Sequence, residues 1–187
     1  MSAIKLNELK DRIYKNACEH GFHDEKHSLP HLMMLVITEI SEAVNAYRVN
    51  NYADRLMFEQ NLCGPSLNPE YHWRSCFDVF IKDTVEDELA DAAMRLLDMA
   101  ALHSFDIDSS EFTDENMMKL AKQSFEGKTF TEQLYLFIHI IPSGANLKVL
   151  LYMLFAIACY NHIDLLWHIE QKMKYNEMRP YKHGKKC

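Results

Sequence analysis

The chain has 187 residues, 48% hydrophobic and 25% charged, with a formal net charge of -7. This balance fits one compact domain over residues 1–187 with a sizeable core, and it excludes a disordered or fibrous chain. It also argues against general nucleic-acid binding through a basic surface, while leaving open a small anionic ligand at a local cationic cluster.

Residues 3–20 carry Ile4, Leu6, Leu9, Ile13 and Ala17 at near-helical spacing, and Gly21 is a plausible stop. After a polar, histidine-rich connection, Leu29-Pro30 precedes a helix over about 31–49, whose pattern ends at "VNNYAD". Residues 50–68 read as a surface connection. Asn68-Pro69-Glu70 then starts a helix that runs on or breaks near Asp83. Asp83-x-x-Glu86 has the form of a capping box opening "TVEDELADAAMRLLDMAAL". "SFDIDSSEF" is a second surface excursion, followed by helices over 113–124, 129–141, 145–160 and 164–177. Thr129-x-x-Glu132 and Asp164 are start signals, and "IPSGAN" is a turn. With only five Gly and five Pro among long runs of helix formers, the fold class is all-α.

The N-terminal "MSAIKLNELKDRIYK" has no apolar signal core. The most apolar run, "VLLYMLFAIAC", is about half of the roughly 20 residues a spanning helix needs, so it reads as a buried helix and no membrane is expected. Cys18, Cys63, Cys76, Cys159 and Cys187 form no Cys-x-x-Cys pair, which fits reduced thiols in a cytoplasmic protein.

"VITEISEAVNAYR" poses a charge problem. At about 100° per residue, Leu32, Leu35, Val36, Ala43 and Ala46 fall within roughly 60° of Glu39, which centres a carboxylate on an apolar stripe. Glu42 lies at the edge of the same stripe. A carboxylate buried without a partner costs several kcal/mol, so something must compensate it. In "VEDELADAAMRLLD", Thr84, Glu88, Asp91, Arg95 and Asp98 share one stripe beside an apolar one, and Glu88 and Asp91 repeat the i, i+3 spacing. The alanines at 43, 46, 90, 92 and 93 would let the two helices approach closely and bring the four carboxylates together. Such an oxygen-only set suits one or more Mg²⁺ ions, with Mn²⁺ as a substitute. The alternative is that Glu42 and Glu88 are solvated and Glu39 pairs with Arg48, Arg95 or a histidine.

"EISEA" followed by "EDELAD" resembles the Glu-x-x-Glu then Glu-x-x-Asp signature of the all-α nucleoside triphosphate pyrophosphatases, the MazG-like and dimeric dUTPase-like superfamily. "HLMMLVITEISEAVNAYR", "IKDTVEDELADAAMRLLDMA" and "KMKYNEMRPYKHGKK" extend the likeness over roughly 20–50, 80–105 and 168–187; the 50–80 connection is longer than in the shortest members. The resemblance implies a helical bundle, assembled as a homo-oligomer. It implies Mg²⁺-dependent hydrolysis of a nucleoside triphosphate, a deoxynucleotide or non-standard one, to monophosphate and pyrophosphate. Glu39, Glu42, Glu88 and Asp91 would be the metal ligands, and Glu39 would also orient or deprotonate the attacking water. The apolar helices 134–160 point to oligomerisation as well.

Lys172, Asn176 and Arg179 share a face if the last helix persists. The two cations could meet phosphate oxygens and the amide a sugar or base edge; the resemblance places the series at the substrate site. "PYKHGKK" leaves the helix at Pro180 and is expected to be mobile until a nucleotide binds, with Lys185 and Lys186 solvated. Among His20, His23, His27 and His31, a zinc site is conceivable but Gly21 and Leu29-Pro30 interrupt any single helix; His31 lies close enough to Glu39 to touch substrate. Trp73, Trp167, Tyr47 and Tyr175 could stack on a base or fill the core. Three rivals stand beside this reading: a di-iron carboxylate bundle, which needs a Glu-x-x-His that the chain lacks; a phosphohydrolase resting on His23-Asp24; and a non-catalytic helical nucleotide-binding protein that keeps the acidic site.

Overall fold

The computed structural model describes residues 6–142 and 146–184. Ile4, the centre of "IPSGAN", Lys185, Lys186 and Cys187 lie outside them. Among the described residues the structure is all-helical: α1 (Leu6–Glu19), α2 (Leu29–Arg48), α3 (Arg55–Leu62), α4 (Pro69–Phe80), α5 (Val85–Leu102), α6 (Asp114–Phe125), α7 (Phe130–Ile140), α8 (Leu147–Tyr160) and α9 (Leu165–Glu177), with 3-10 turns at Ser109–Glu111 and Tyr181–Gly184.

The helix starts follow from side chains that accept the first free backbone N–H groups. Asn68 accepts from Tyr71 N, Asp164 accepts from Trp167 N, and Thr129 forms a reciprocal capping box with Glu132. The start of α5 differs from the Asp83-x-x-Glu86 expectation by one residue. Thr84 is the cap and accepts from Asp87 N at 3.3 Å, while Asp83 turns the chain in the left-handed region at φ 59°. A short acidic residue tolerates that conformation. The shift turns Asp87 inward, where it accepts from Asp83 N at 3.0 Å.

The 50–68 connection also differs from expectation, because Asp54 caps an additional short helix, α3. With α4 it forms a hairpin whose ends meet. Asp54 N donates to Phe80 O at 2.9 Å, Ala53 N to Glu86 Oε2 at 2.8 Å, and Val85 N to Asn51 O at 3.1 Å. The long insertion thus leaves the end of α2 beside the start of α5. The two helices run antiparallel.

α5 is the central element, packing against α1, α2, α8 and α9. Leu89, Ala90, Ala92, Ala93, Leu96, Leu97 and Ala100 are completely buried in it. Ala43 and Ala46 are buried on the facing α2, so the alanine stripe serves close packing as expected. α8 buries Leu150, Leu151, Leu154 and 155–158 within the same core, which accounts for its apolar sequence inside one chain. No single helix among the described residues is long and apolar enough to cross a membrane.

A second cluster ties the α3–α4 hairpin to α9. Phe58, Trp73, Cys76, Phe77, Ile81 and Tyr175 form it, with Phe77 stacked between Trp73 and Tyr175. Each fully buried large side chain contributes about 1.5–3 kcal/mol, so the hairpin is anchored to the helix that carries Lys172 and Asn176.

Candidate functional site

Along the α2–α5 seam, one oxygen from each of Glu39, Glu42 and Glu88 lies within 4.8 Å of the others. Glu39 and Glu88 are 3% and 5% exposed, whereas Glu42 stands at the open side. The antiparallel pairing produces this: Glu39 and Glu42 climb α2 while Glu88 sits one turn into α5 on the face toward it. Glu88 Oε2 is buried and accepts no hydrogen bond. Burial, then the nearby Asp91 charge, pushes the Glu88 carboxyl up to about 9. Burial also raises the Glu39 carboxyl, against the lowering influence of Arg95.

The compensating charges are resident. Arg95 Nε reaches Glu39 Oε1 at 2.6 Å, one of the pairings the sequence left open. Lys172 Nζ lies 2.7 Å from Asp87 Oδ2 and 2.8 Å from Asp91 Oδ2. Asp87 is wholly buried, and burial pushes its carboxyl up to about 6 even against the attraction of Lys172. The two carboxylates in turn hold the Lys172 ammonium charged far above its ordinary range, outweighing burial. Arg95 and Lys172 thus answer Glu39, Asp87 and Asp91, while burial holds the Glu88 carboxyl protonated, and a bound cation would take the place of that proton.

The residues fit a hard divalent ion. All donors are carboxylate oxygens, and one buried oxygen among them, Glu88 Oε2, is unpartnered. A second triad, Asp83, Asp87 and Glu88, also lies within 4.8 Å and shares Glu88 with the first.

The other expected residues divide. Asp91 is drawn to Lys172 and stands outside both triads. Lys172, expected at substrate phosphates, is 4% exposed and ion-paired with Asp87 and Asp91 inside the acidic cluster. Asn176 and Arg179 do reach the site, lining with Glu39, Asp91, Arg95 and Asp98 a cleft of about 110 Å³. α9 ends at Glu177, so Arg179 enters from the chain beyond it, with its Nη1 3.4 Å from Asn176 Oδ1. His31 is stacked on His27 with ring centres 4.6 Å apart, and its Nε2 is buried without a hydrogen-bond partner.

The expectation of a mobile tail is corrected over residues 179–184, which dock on the turn after α1. Lys182 N donates to His20 O at 2.8 Å, His20 Nε2 lies 3.1 Å from Arg179 O, and Tyr181 Oη donates to Asp24. The Tyr181 ring covers Gly21, whose φ of 78° and missing Cβ permit the contact. His23, His27 and His31 line one cavity, but the four histidines form no metal-competent set among the described residues. His20 bonds backbone and His23 bonds Asp98. The candidate stacking aromatics are packing residues: Trp73 and Tyr175 in the second cluster, Trp167 edge-on to Phe58, Tyr47 against Phe130.

Sequence reasoning did not assign Asp87, Arg95 or Asp98 to the site. The Thr84-x-x-Asp87 spacing and the Glu88–Asp91–Arg95–Asp98 stripe were the available signals. No protein-family model matches the chain, and neither curated proteins nor solved structures yield a significant match.

Proposed function

We propose that this protein is a nucleoside triphosphate pyrophosphohydrolase of the MazG-like kind, acting with Mg²⁺ or Mn²⁺ on the α–β phosphoanhydride. The observation that carries the reading is the convergence of Glu39, Glu42 and Glu88 around an unpartnered buried oxygen, beside a cleft edged by Arg95 and Arg179. When bound, the cation would neutralise phosphate charge and make a bound water acidic. Glu39, Glu42 and Glu88 would hold it.

The chain's own groups supply position and charge. Arg179 and Arg95 lie where phosphate oxygens entering the cleft would meet planar N–H donors, which suits bidentate recognition. Lys172 bridges Asp87 and Asp91, cancels their mutual repulsion and fixes the face of α5 that carries Glu88. Glu39 would orient or deprotonate the attacking water, taking its proton as the water oxygen bonds to the α-phosphorus and the bond to the departing pyrophosphate breaks.

Product analysis with Mg²⁺ and a panel of ribo-, deoxy- and modified triphosphates tests this. Monophosphate and pyrophosphate are expected, and orthophosphate would point to a different reaction. Glu39→Gln should abolish turnover with helix content intact.

A second reading, a non-catalytic nucleotide-binding protein, has one observation in its favour. Glu39 and Asp91 already have cationic partners, so part of the acidic set is stable without metal. Homo-oligomerisation belongs to the same proposal. Burial of α8 removes part of its sequence support, but an apolar groove between α2 and α7, with Met34 58% and Tyr135 66% exposed, remains for a second copy to cover. Light scattering decides between monomer and oligomer.

A further inference from the structure

The cleft at Glu39 is too small for a nucleotide by itself, since ligand sites usually measure about 300–1,000 Å³. It does not end at Arg95, however. Arg95, Asp98 and Phe22 line both this cleft and a neighbouring cavity of about 400 Å³ that continues along the α2–α5 seam. Leu32 and Leu35 line the cavity from α2, two turns and one turn before Glu39, and Asp98 lies two turns beyond Asp91 on α5. Two helical turns carry the seam about 10 Å from the acids, comparable to the reach of a sugar from its phosphates to its base.

The walls have the chemistry of a flat, polar-edged ring. Leu32 and Leu35 give an apolar surface, and the Tyr14–His23 and His27–His31 ring pairs give aromatic faces. Two carboxylates line the cavity, Glu25 and Asp98, and Asp98 is the more buried of them. Asp98 Oδ1 is bonded to His23 Nε2 at 2.8 Å, and the carboxylate remains about one-fifth exposed. His31, with its buried unpartnered Nε2, lines the same space.

We propose that this cavity holds the nucleobase of the substrate and that Asp98 selects a base carrying an exocyclic amino group over its oxo counterpart. The assignment rests on the pyrophosphohydrolase reading for the placement of the phosphates at the acids. An amino group donates to the carboxylate. An oxo group at the same position sets two acceptors against each other, and losing a hydrogen bond to a charged acceptor costs a factor of about ten or more in affinity.

The test measures binding of nucleoside monophosphates to the full chain in divalent-free buffer, so no turnover is needed. Cytidine against uridine monophosphate, and adenosine against inosine monophosphate, exchange the amino group for an oxo group and gain a proton at the adjacent ring nitrogen, so the comparison reads which of the two donors Asp98 faces. The unmodified protein should prefer the amino member of at least one pair about tenfold or more, and binding should shift the imidazole NMR signals of His23, His27 and His31 while leaving His162 and His168 in place. Asp98→Asn, whose amide both donates and accepts, should collapse the preference with helix content retained.

Equal affinity within both pairs, no binding of any of the four at millimolar concentration, or shifts confined to His162 and His168 would overturn the proposal, and none of these depends on Asp98→Asn folding. Triphosphate hydrolysis without base discrimination refutes the pocket and spares the enzyme reading. Base discrimination without hydrolysis does the reverse.

Discussion

Arg95 lies against Glu39 at 2.6 Å, with the carboxylate side chain 4% exposed and the guanidinium 29% exposed. The apolar stripe of α2 therefore carries its charge only because α5 brings a cation to it. This pair sets the resting state of the site, since a bound metal would compete with Arg95 for the same carboxylate.

Arg95→Met should accordingly destabilise the protein more than its partial exposure suggests. Removing one member of a mostly buried pair costs about 3 kcal/mol, because the remaining charge has no partner. Urea denaturation should show the loss in chelator, and millimolar Mg²⁺ should restore part of it. An equal loss with and without Mg²⁺ would separate Arg95 from the metal site.

Lys172→Met should be more damaging still, since it leaves Asp87 and Asp91 facing each other. The Lys172→Met/Asp87→Leu double variant should recover much of the roughly 3–5 kcal/mol lost. Additive losses in that double-mutant cycle would show that the ion pair does not hold α9 to α5.

Acid sensitivity should come in part from His168. Burial lowers its imidazole to about 4, and Nδ1 has no partner. As pH falls from the unfolded value near 6.5 toward 4, the unfolded chain takes up a proton that the folded chain refuses, so stability falls with it. His168→Leu should flatten that limb of the stability–pH curve, measured by thermal unfolding. An unchanged slope between pH 6.5 and 4 would assign it to other groups.

Gly21→Ala should release the docked tail, since a methyl group there overlaps the Tyr181 ring and the left-handed backbone costs about 1–2 kcal/mol for a residue with a Cβ. Trypsin cleavage at Lys182 should accelerate. Because Arg179 enters the cleft from this segment, the substrate concentration required should rise as it does in Arg179→Ala.

How legible this was depended on whether each feature is local. Asn68, Thr129 and Asp164 announce helices through one side chain and one N–H three residues on, so they are readable without knowing the fold. α3 was not, because its eight residues bury only Phe58 and its Asp54 cap hides in the polar run that ends α2. Glu39 was visible as a misfit in a periodic stripe, and Arg95 only as one of several possible partners. The Lys172 counter-charge could not be read: its partners Asp87 and Asp91 lie more than eighty positions away, and a lysine near a helix end looks solvated until α9 packs on α5. The tail was misjudged for the same reason, since its anchor is the Gly21 turn at the opposite end of the chain.

The central claim is that Glu39, Glu42 and Glu88 grip one hard cation, and Mn²⁺ titration followed by electron paramagnetic resonance tests it most directly. The unmodified protein should remove the free Mn²⁺ signal at micromolar to submillimolar metal, with Mg²⁺ competing. Glu88→Gln, folded by circular dichroism, should leave that signal intact; equal Mn²⁺ binding by Glu88→Gln and the unmodified chain would contradict the account.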